Sequence, residues 1–282
     1  IALGLGLPPL ILRLVGTHGA NEHLLVLAGA FAAIAALFGG PLVAALLLLE
    51  MLAMTGAVAA REMGRVLLPG FVAAGSGALI FTGVAGWEGL HQVNLALPQL
   101  PAYDTVRIVD LGWCAVLALA VALVIVAARR LAFGIATRAV SQPSAALVVG
   151  GLLVGLVALA FRELADRPVD LVFFSGQSAL PAVVAEGAGG VLLLVVLAKG
   201  LAYSISLGTG FRGGPVFPAV AIGTALGVAA ADLLPGLEDT PAIAAGIAAA
   251  TAVVLRAPFS AALLAALLIG ESSADVAPIG VL

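Results

Sequence analysis

Long apolar runs broken by short polar stretches set the rhythm of this chain. Four runs, 66–86, 108–128, 144–163 and 189–207, are long enough for a helix to cross about 30 Å of hydrocarbon, which takes roughly 20 residues. Four others are too short for an upright crossing. The run 23–38 ends at Gly39-Gly40-Pro41 and 41–54 follows at once; 241–254 breaks at Arg256-Ala257-Pro258 and 258–270 follows. Short helices meeting in pairs at a Gly/Pro break predict segments that enter the bilayer and turn back, or that cross it at a steep tilt.

The two pairs match each other in register. Gly29-Ala30-Phe31-Ala32-Ala33 reads against Gly246-Ile247-Ala248-Ala249-Ala250, and Pro41-Leu42-Val43-Ala44-Ala45 reads against Pro258-Phe259-Ser260-Ala261-Ala262 at the same offset. Ala/Leu-rich helices match easily by chance, but a shared break at proline points to an internal repeat.

One polar break differs from the rest. Gly210-Phe211-Arg212-Gly213-Gly214-Pro215-Val216-Phe217-Pro218 is a glycine loop closed by prolines, opening a run of small and aliphatic residues. Proline suits a first helical turn, where its missing N–H leaves nothing unbonded, so a helix is predicted from here to about Leu226. Helix starts carry unpaired N–H groups and a partial positive charge, and hold anions without a full cation. Broken helices at membrane depth line a cavity or a pathway. The plainer reading is a simple loop between two spans. Arg212 argues against it, because a charge here needs water or an anion beside it.

Composition settles the solvent. The 282 residues are 63% hydrophobic and 10% charged, with mean hydropathy +1.24, and a soluble domain carries about twice that charged fraction. Lipid must therefore cover most of the exterior. A net charge of −3 argues against a nucleic-acid partner. Cys114, the single cysteine, reads as a small buried apolar side chain. One lysine, Lys199, stands against eleven arginines, which with the Ala/Gly/Leu/Val excess suggests a bacterial source and an inner-membrane location. The chain opens and closes in apolar sequence, at Ile1 and Leu282, and reads as a piece of something longer.

The arginines give an orientation. Arg61 and Arg65 share one connection and Arg129, Arg130 and Arg138 flank another, whereas alternate connections carry Glu88, Asp104 and Asp110, then Asp166 and Asp170 beside Arg162 and Arg167. The arginine-rich side is read as cytoplasmic and the loop 88–107 as external. Lys199 and Glu186, expensive in apolar surroundings, read as interface side chains that snorkel. His18, His23 and Glu22 share a polar loop without a fourth metal ligand. No nucleophile–base set or phosphate loop stands out, so neither an enzyme nor a cofactor is expected.

The run Gly210 to Pro218, continued by Ala219-Val220-Ala221-Ile222-Gly223-Thr224, resembles the third anion-filter motif of the CLC chloride channel and transporter family, Gly-Gly-x-Phe-x-Pro followed by a small-residue helix. Three more segments agree in order and spacing: Pro41 to Glu50, Ser175-Gly176-Gln177 with Pro181, and Leu255-Arg256-Ala257-Pro258-Phe259-Ser260. The resemblance implies an all-α polytopic membrane protein with inverted-topology repeats and tilted, half-spanning helices. It divides the chain into the end of a first repeat (1–87), an external linker (88–107) and a second repeat (108–282), a single transmembrane domain incomplete at both ends. The external gating glutamate would fall upstream of Ile1, and the filter tyrosine and final helix beyond Leu282.

By the same resemblance, Gly213, Gly214, Val216 and Phe217 are candidate backbone ligands of a small anion, chloride first, with Arg212 as a nearby electrostatic attractor. A homodimer is implied, with 41–54, 66–86 and 258–270 toward the partner. Three departures bear on function. Val216 holds the family's phenylalanine position, with Phe217 one later. Pro215 holds a position that in the family donates an amide, and proline has none. Met51 stands where the family's proton-coupled members carry the internal proton-transfer glutamate, which leaves Glu50 as the proton-pathway candidate, with a structural role at a helix end the first alternative. A fluoride exporter of the same family, or a non-conducting membrane scaffold, are the other readings.

Overall fold

A computed structural model of the chain describes residues 2–15, 22–38, 41–55, 60–87, 97, 100–103 and 105–270. Within these the protein is built of helices and loops, without strands. Among the described residues four helices, Ile108–Ala139, Pro143–Ala165, Gly189–Thr209 and Val216–Leu233, are long and apolar enough to cross a membrane; the predicted span 66–86 is not one of them, its apolar stretch being the shorter Leu67–Ile80. The molecule is an all-α polytopic membrane protein, and it divides after Leu95 into two compact units.

The first unit holds α1 (Ala2–Val15), α2 (Glu22–Phe38), α3 (Pro41–Thr55) and α4 (Ala60–Trp87). Its centre is α2, which packs on the other three. Phe31 is fully buried there, and Gly70 of α4 makes the room: a Cβ at Gly70 would stand 2.7 Å from the Phe31 ring. The predicted pair 23–38 and 41–54 is present as α2 and α3. Glu22 and His23, expected in a loop, begin α2 instead. The break at Gly39-Gly40, His18 and most of 88–107 lie outside the described residues.

The second unit runs through α5 (Ile108–Ala139), α6 (Pro143–Ala165), a short 3-10 turn (Val169–Leu171), α7 (Leu180–Ala185), α8 (Gly189–Thr209), α9 (Val216–Leu233), α10 (Asp239–Leu255) and α11 (Pro258–Ile269). Helix α10 packs on α9, α5 and α11, and α8 on α5, α6 and α9. The α9–α10 crossing is close because it lacks side chains. A Cβ on Gly223 would run into the Gly246 carbonyl, and one on Gly227 would meet Ala242 O at 2.7 Å. Small residues let backbones approach where apolar burial does not drive association. Burial grades inward: 17% of the apolar stretch of α6 is buried against 67% of that of α9, which puts α6 toward lipid and α9 in the core.

Two predicted elements prove longer than expected. The helix predicted to end near Leu226 continues to Leu233, because Gly227 is a packing residue rather than a stop. Helix α5 does not end at 128 but runs on through Arg129, Arg130 and Arg138, 32 residues in all. At 1.5 Å per residue that is about 48 Å, well beyond the hydrocarbon thickness. Its final turns therefore stand in the headgroup layer or beyond.

Asp110, assigned from sequence to a polar connection, is fully buried in the first turn of α5. Its carboxylate accepts hydrogen bonds from Tyr103 Oη at 3.0 Å and from Arg107 Nε and Nη2 at 2.8 Å. Arg107 also bonds the Gly236 carbonyl at 2.8 Å and pairs with Glu238 at 3.0 Å, tying the start of α5 to the α9–α10 loop. Burial pushes the Tyr103 phenol up to about 12. Cys114 is buried one turn on, as expected.

Candidate functional site

The glycine loop folds as read. Helix α8 ends at Gly210, whose φ of 93° lets the chain turn, and α9 begins at Val216 with Pro215 as its N-cap. Among the described residues no hydrogen bond takes up the N–H of Gly213, Gly214 or Val216. Gly213 and Gly214 do not adopt left-handed backbone. A Cβ at either would meet nothing within 4 Å. What their missing side chains leave open is the backbone itself.

The loop forms one wall of a cavity of about 240 Å³, to which Arg212, Gly213, Gly214, Pro215 and Pro218 contribute. Val154 of α6, with Val172, Phe173 and Ser175 of the segment after the 3-10 turn, forms a second. The third is the face of α8 carrying Lys199, Ala202, Tyr203 and Ser206. Val154 and Lys199 stand at the midpoints of α6 and α8. The cavity therefore runs from the exposed loop to the middle of two spans.

Lys199 corrects the expectation of a snorkelling side chain. It is 2% exposed, and its ammonium donates to the carbonyls of Leu171, Val172 and Phe173 at 3.2, 3.3 and 3.3 Å. Those carbonyls end the 3-10 turn, where oxygens are left without partners and carry partial negative charge. No described carboxylate pairs with the ammonium. The contact also explains Ser175-Gly176-Gln177. Gly176 has φ 83°, and a Cβ there would stand 2.7 Å from Lys199 Cε and 2.8 Å from the Ala221 side chain. Only glycine lets this segment cross between α8 and α9.

Of the candidate ligands, Arg212, Gly213 and Gly214 line the cavity, and Arg212 is exposed. Val216 is half-buried, and Phe217, 6% exposed, turns its ring into the core. Glu50 belongs to the first unit, buried in α3 and engaged by a polar interaction. Glu186 does not snorkel alone either: Arg167 bonds both its carboxylate oxygens, and that hydrogen bonding holds its carboxyl below the usual range.

Lys199 and Tyr203 are the residues that the loop motif does not point to. Tyr203 lies one turn beyond Lys199 and its buried hydroxyl has no hydrogen-bond partner. The signal for Lys199 was present in the sequence: a lysine at the middle of a 21-residue span is about 15 Å from either end, farther than its side chain reaches. It must be used inside.

Comparison with known proteins gives a family. Residues 3–280 match the family described as "Voltage gated chloride channel". Among curated proteins, "Putative ion-transport protein YfeO" from Escherichia coli O1:K1, and its counterparts from strains S88 and ED1a, are each 29% identical over 277 residues. The matches cover 97% of this chain and 60% of each relative, so the chain spans about three fifths of their length.

Proposed function

The chain belongs to the voltage gated chloride channel (CLC) family, and on that premise we propose that it forms one side of a membrane path for a small anion, chloride first. The observation that carries the reading is the cavity lined both by Gly213 and Gly214, whose N–H groups are left unbonded among the described residues, and by Lys199, whose buried ammonium is bound by carbonyls. Backbone donors attract an ion through partial charges. The full charge of Lys199 is spread over three oxygens, and so adds field without gripping the ion. Binding of this kind is firm enough to strip water and weak enough to release. Gly213, Gly214, Val216 and Phe217 act as backbone ligands and Arg212 draws anions toward the loop.

The basic Arg212 after Gly210-Phe211, together with the departure from the chloride filter at Pro215, favours a second reading, a fluoride exporter. The N-cap has no N–H to give, and one hydrogen bond to a charged ligand is worth about 1.5–3 kcal/mol, so halide preference departs from a filter that has every donor. Proton coupling is weak or absent: Met51 cannot relay a proton, and Glu50 is the one acid we assign to such a route. The working protein is a homodimer of a bacterial inner membrane.

The test is flux. Full-length protein in liposomes, with the voltage clamped by a potassium ionophore, is expected to release chloride, and faster release of fluoride identifies the second reading. Release of neither leaves a scaffold. Proton uptake driven by an anion gradient contradicts the reading of Met51.

A further inference from the structure

A second cationic cleft lies in the same unit and shares no lining residue with the glycine-loop cavity. Val126, Arg129, Arg130 and Phe133 of α5 line it together with Val253 and Arg256 at the end of α10. The α5 residues fall at spacings of three, four and seven, which sets them on one helix face. All three arginines are exposed, and no acid lines the cleft or pairs with them among the described residues. Arg129 Nη1 donates to the Val253 carbonyl at 3.1 Å, one of the oxygens that a helix C-terminus leaves unpaired. Arg256 ends α10 in the left-handed region, at φ 57°. Among the described residues Arg130 and Arg256 have no such acceptor. The cleft encloses about 560 Å³.

Depth identifies what belongs there. Between Asp110 and Arg129, α5 carries no charged side chain, and that interval of 18 residues rises about 27 Å. With Asp110 held in the polar cluster at one boundary, Arg129 and Arg130 stand at the other, where hydrocarbon gives way to headgroups. The cleft's sides are apolar and open: Phe133 is 73% exposed and Val126 38%. Guanidiniums beside outward-facing apolar walls match a molecule with a phosphodiester at one end and acyl chains at the other.

We propose that this arginine cleft is a binding site for an anionic phospholipid of the cytoplasmic leaflet. Arg130 and Arg256 hold the phosphate, Arg129 fixes the end of α10 beside it, and the acyl chains run along Val126 and the neighbouring face of α5. The site stands on its own observations and does not depend on which ion the protein moves.

The test uses full-length protein in detergent. Wild-type protein is titrated with dioleoylphosphatidylglycerol, with dioleoylphosphatidylcholine and with inorganic phosphate, and bound lipid is counted by native mass spectrometry. Phosphatidylglycerol is expected to be retained preferentially. Arg130→Gln/Arg256→Gln is expected to weaken that retention roughly 30-fold while leaving phosphatidylcholine retention unchanged. Equal retention of the two lipids by the wild type overturns the proposal and needs no variant to do so. Full retention by the double variant overturns the residue assignment. Displacement of the lipid by millimolar inorganic phosphate makes it a site for soluble phosphate and overturns the lipid. Should the double variant not fold, Arg256→Gln alone is expected to lose roughly five-fold, and no loss counts against the proposal.

Discussion

Two cationic clefts of one unit handle charge in opposite ways. At the glycine loop the deep charge is withheld: Lys199 is buried and its ammonium is occupied by three carbonyls. At the α5 cleft the charge is offered, on the exposed guanidiniums of Arg129, Arg130 and Arg256, of which, among the described residues, only Arg129 has a protein acceptor. A path must release what it binds, so field without contact serves it. A site that retains its ligand gains from direct, charge-assisted hydrogen bonds. The difference lies in what surrounds the cations more than in their number.

The sharpest way to break the comparison is to remove the withheld charge. Lys199→Met leaves the carbonyls of Leu171, Val172 and Phe173 without their donor and is expected to destabilise the protein by about 3 kcal/mol, read as a fall in thermal unfolding temperature in detergent. Arg130→Gln, on the exposed side, is expected to leave that temperature within error. Gly176→Ala asks the same question from the other side of the cavity. Its Cβ would press on Lys199 Cε at 2.7 Å in a backbone region that alanine resists, and the expected loss is about 2 kcal/mol. Pro215→Ile gives the loop back an N–H, and chloride binding by calorimetry is expected to tighten about ten-fold. An unchanged affinity removes Pro215 from the account of selectivity.

The smallest effect lies outside both clefts. Arg167 holds the Glu186 carboxyl below its ordinary range, so the pair stabilises the folded state above the unfolded glutamate value of about 4.3. That contribution fades as pH falls through the lower folded value. Glu186→Gln is expected to remove this slope from an acid unfolding series, with little change at neutral pH because the pair is partly exposed.

Much of this was legible in the chain. Apolar run lengths gave three of the four spanning helices, α5, α6 and α8, because a bilayer imposes one length on any crossing; they overrated 66–86 and underrated α9, whose small residues and glycines hide its length. The Gly/Pro breaks gave the paired short helices, α10–α11 in full and α2–α3 up to the undescribed break. The glycine loop was found from its punctuation, since a helix start between two apolar runs has few other sequence forms. The end of α5 was misplaced for a physical reason. Charged residues do not stop a helix once it has left the hydrocarbon, so Arg129, Arg130 and Arg138 mark the membrane boundary and not the helix boundary.

What the sequence by itself determined was therefore one-dimensional: which segments are helical, which lie in lipid, and where a helix begins with its N–H groups open. Tertiary structure alone decided the partners. It set Lys199 against the carbonyls of 171–173, threaded Gly176 between that lysine and Ala221, buried Asp110 under Tyr103 and Arg107, and brought Arg256 to the face of α5. Local composition fixes a backbone's solvent and period, but the field at a buried point is the sum over groups far apart in the chain, and only packing brings them together.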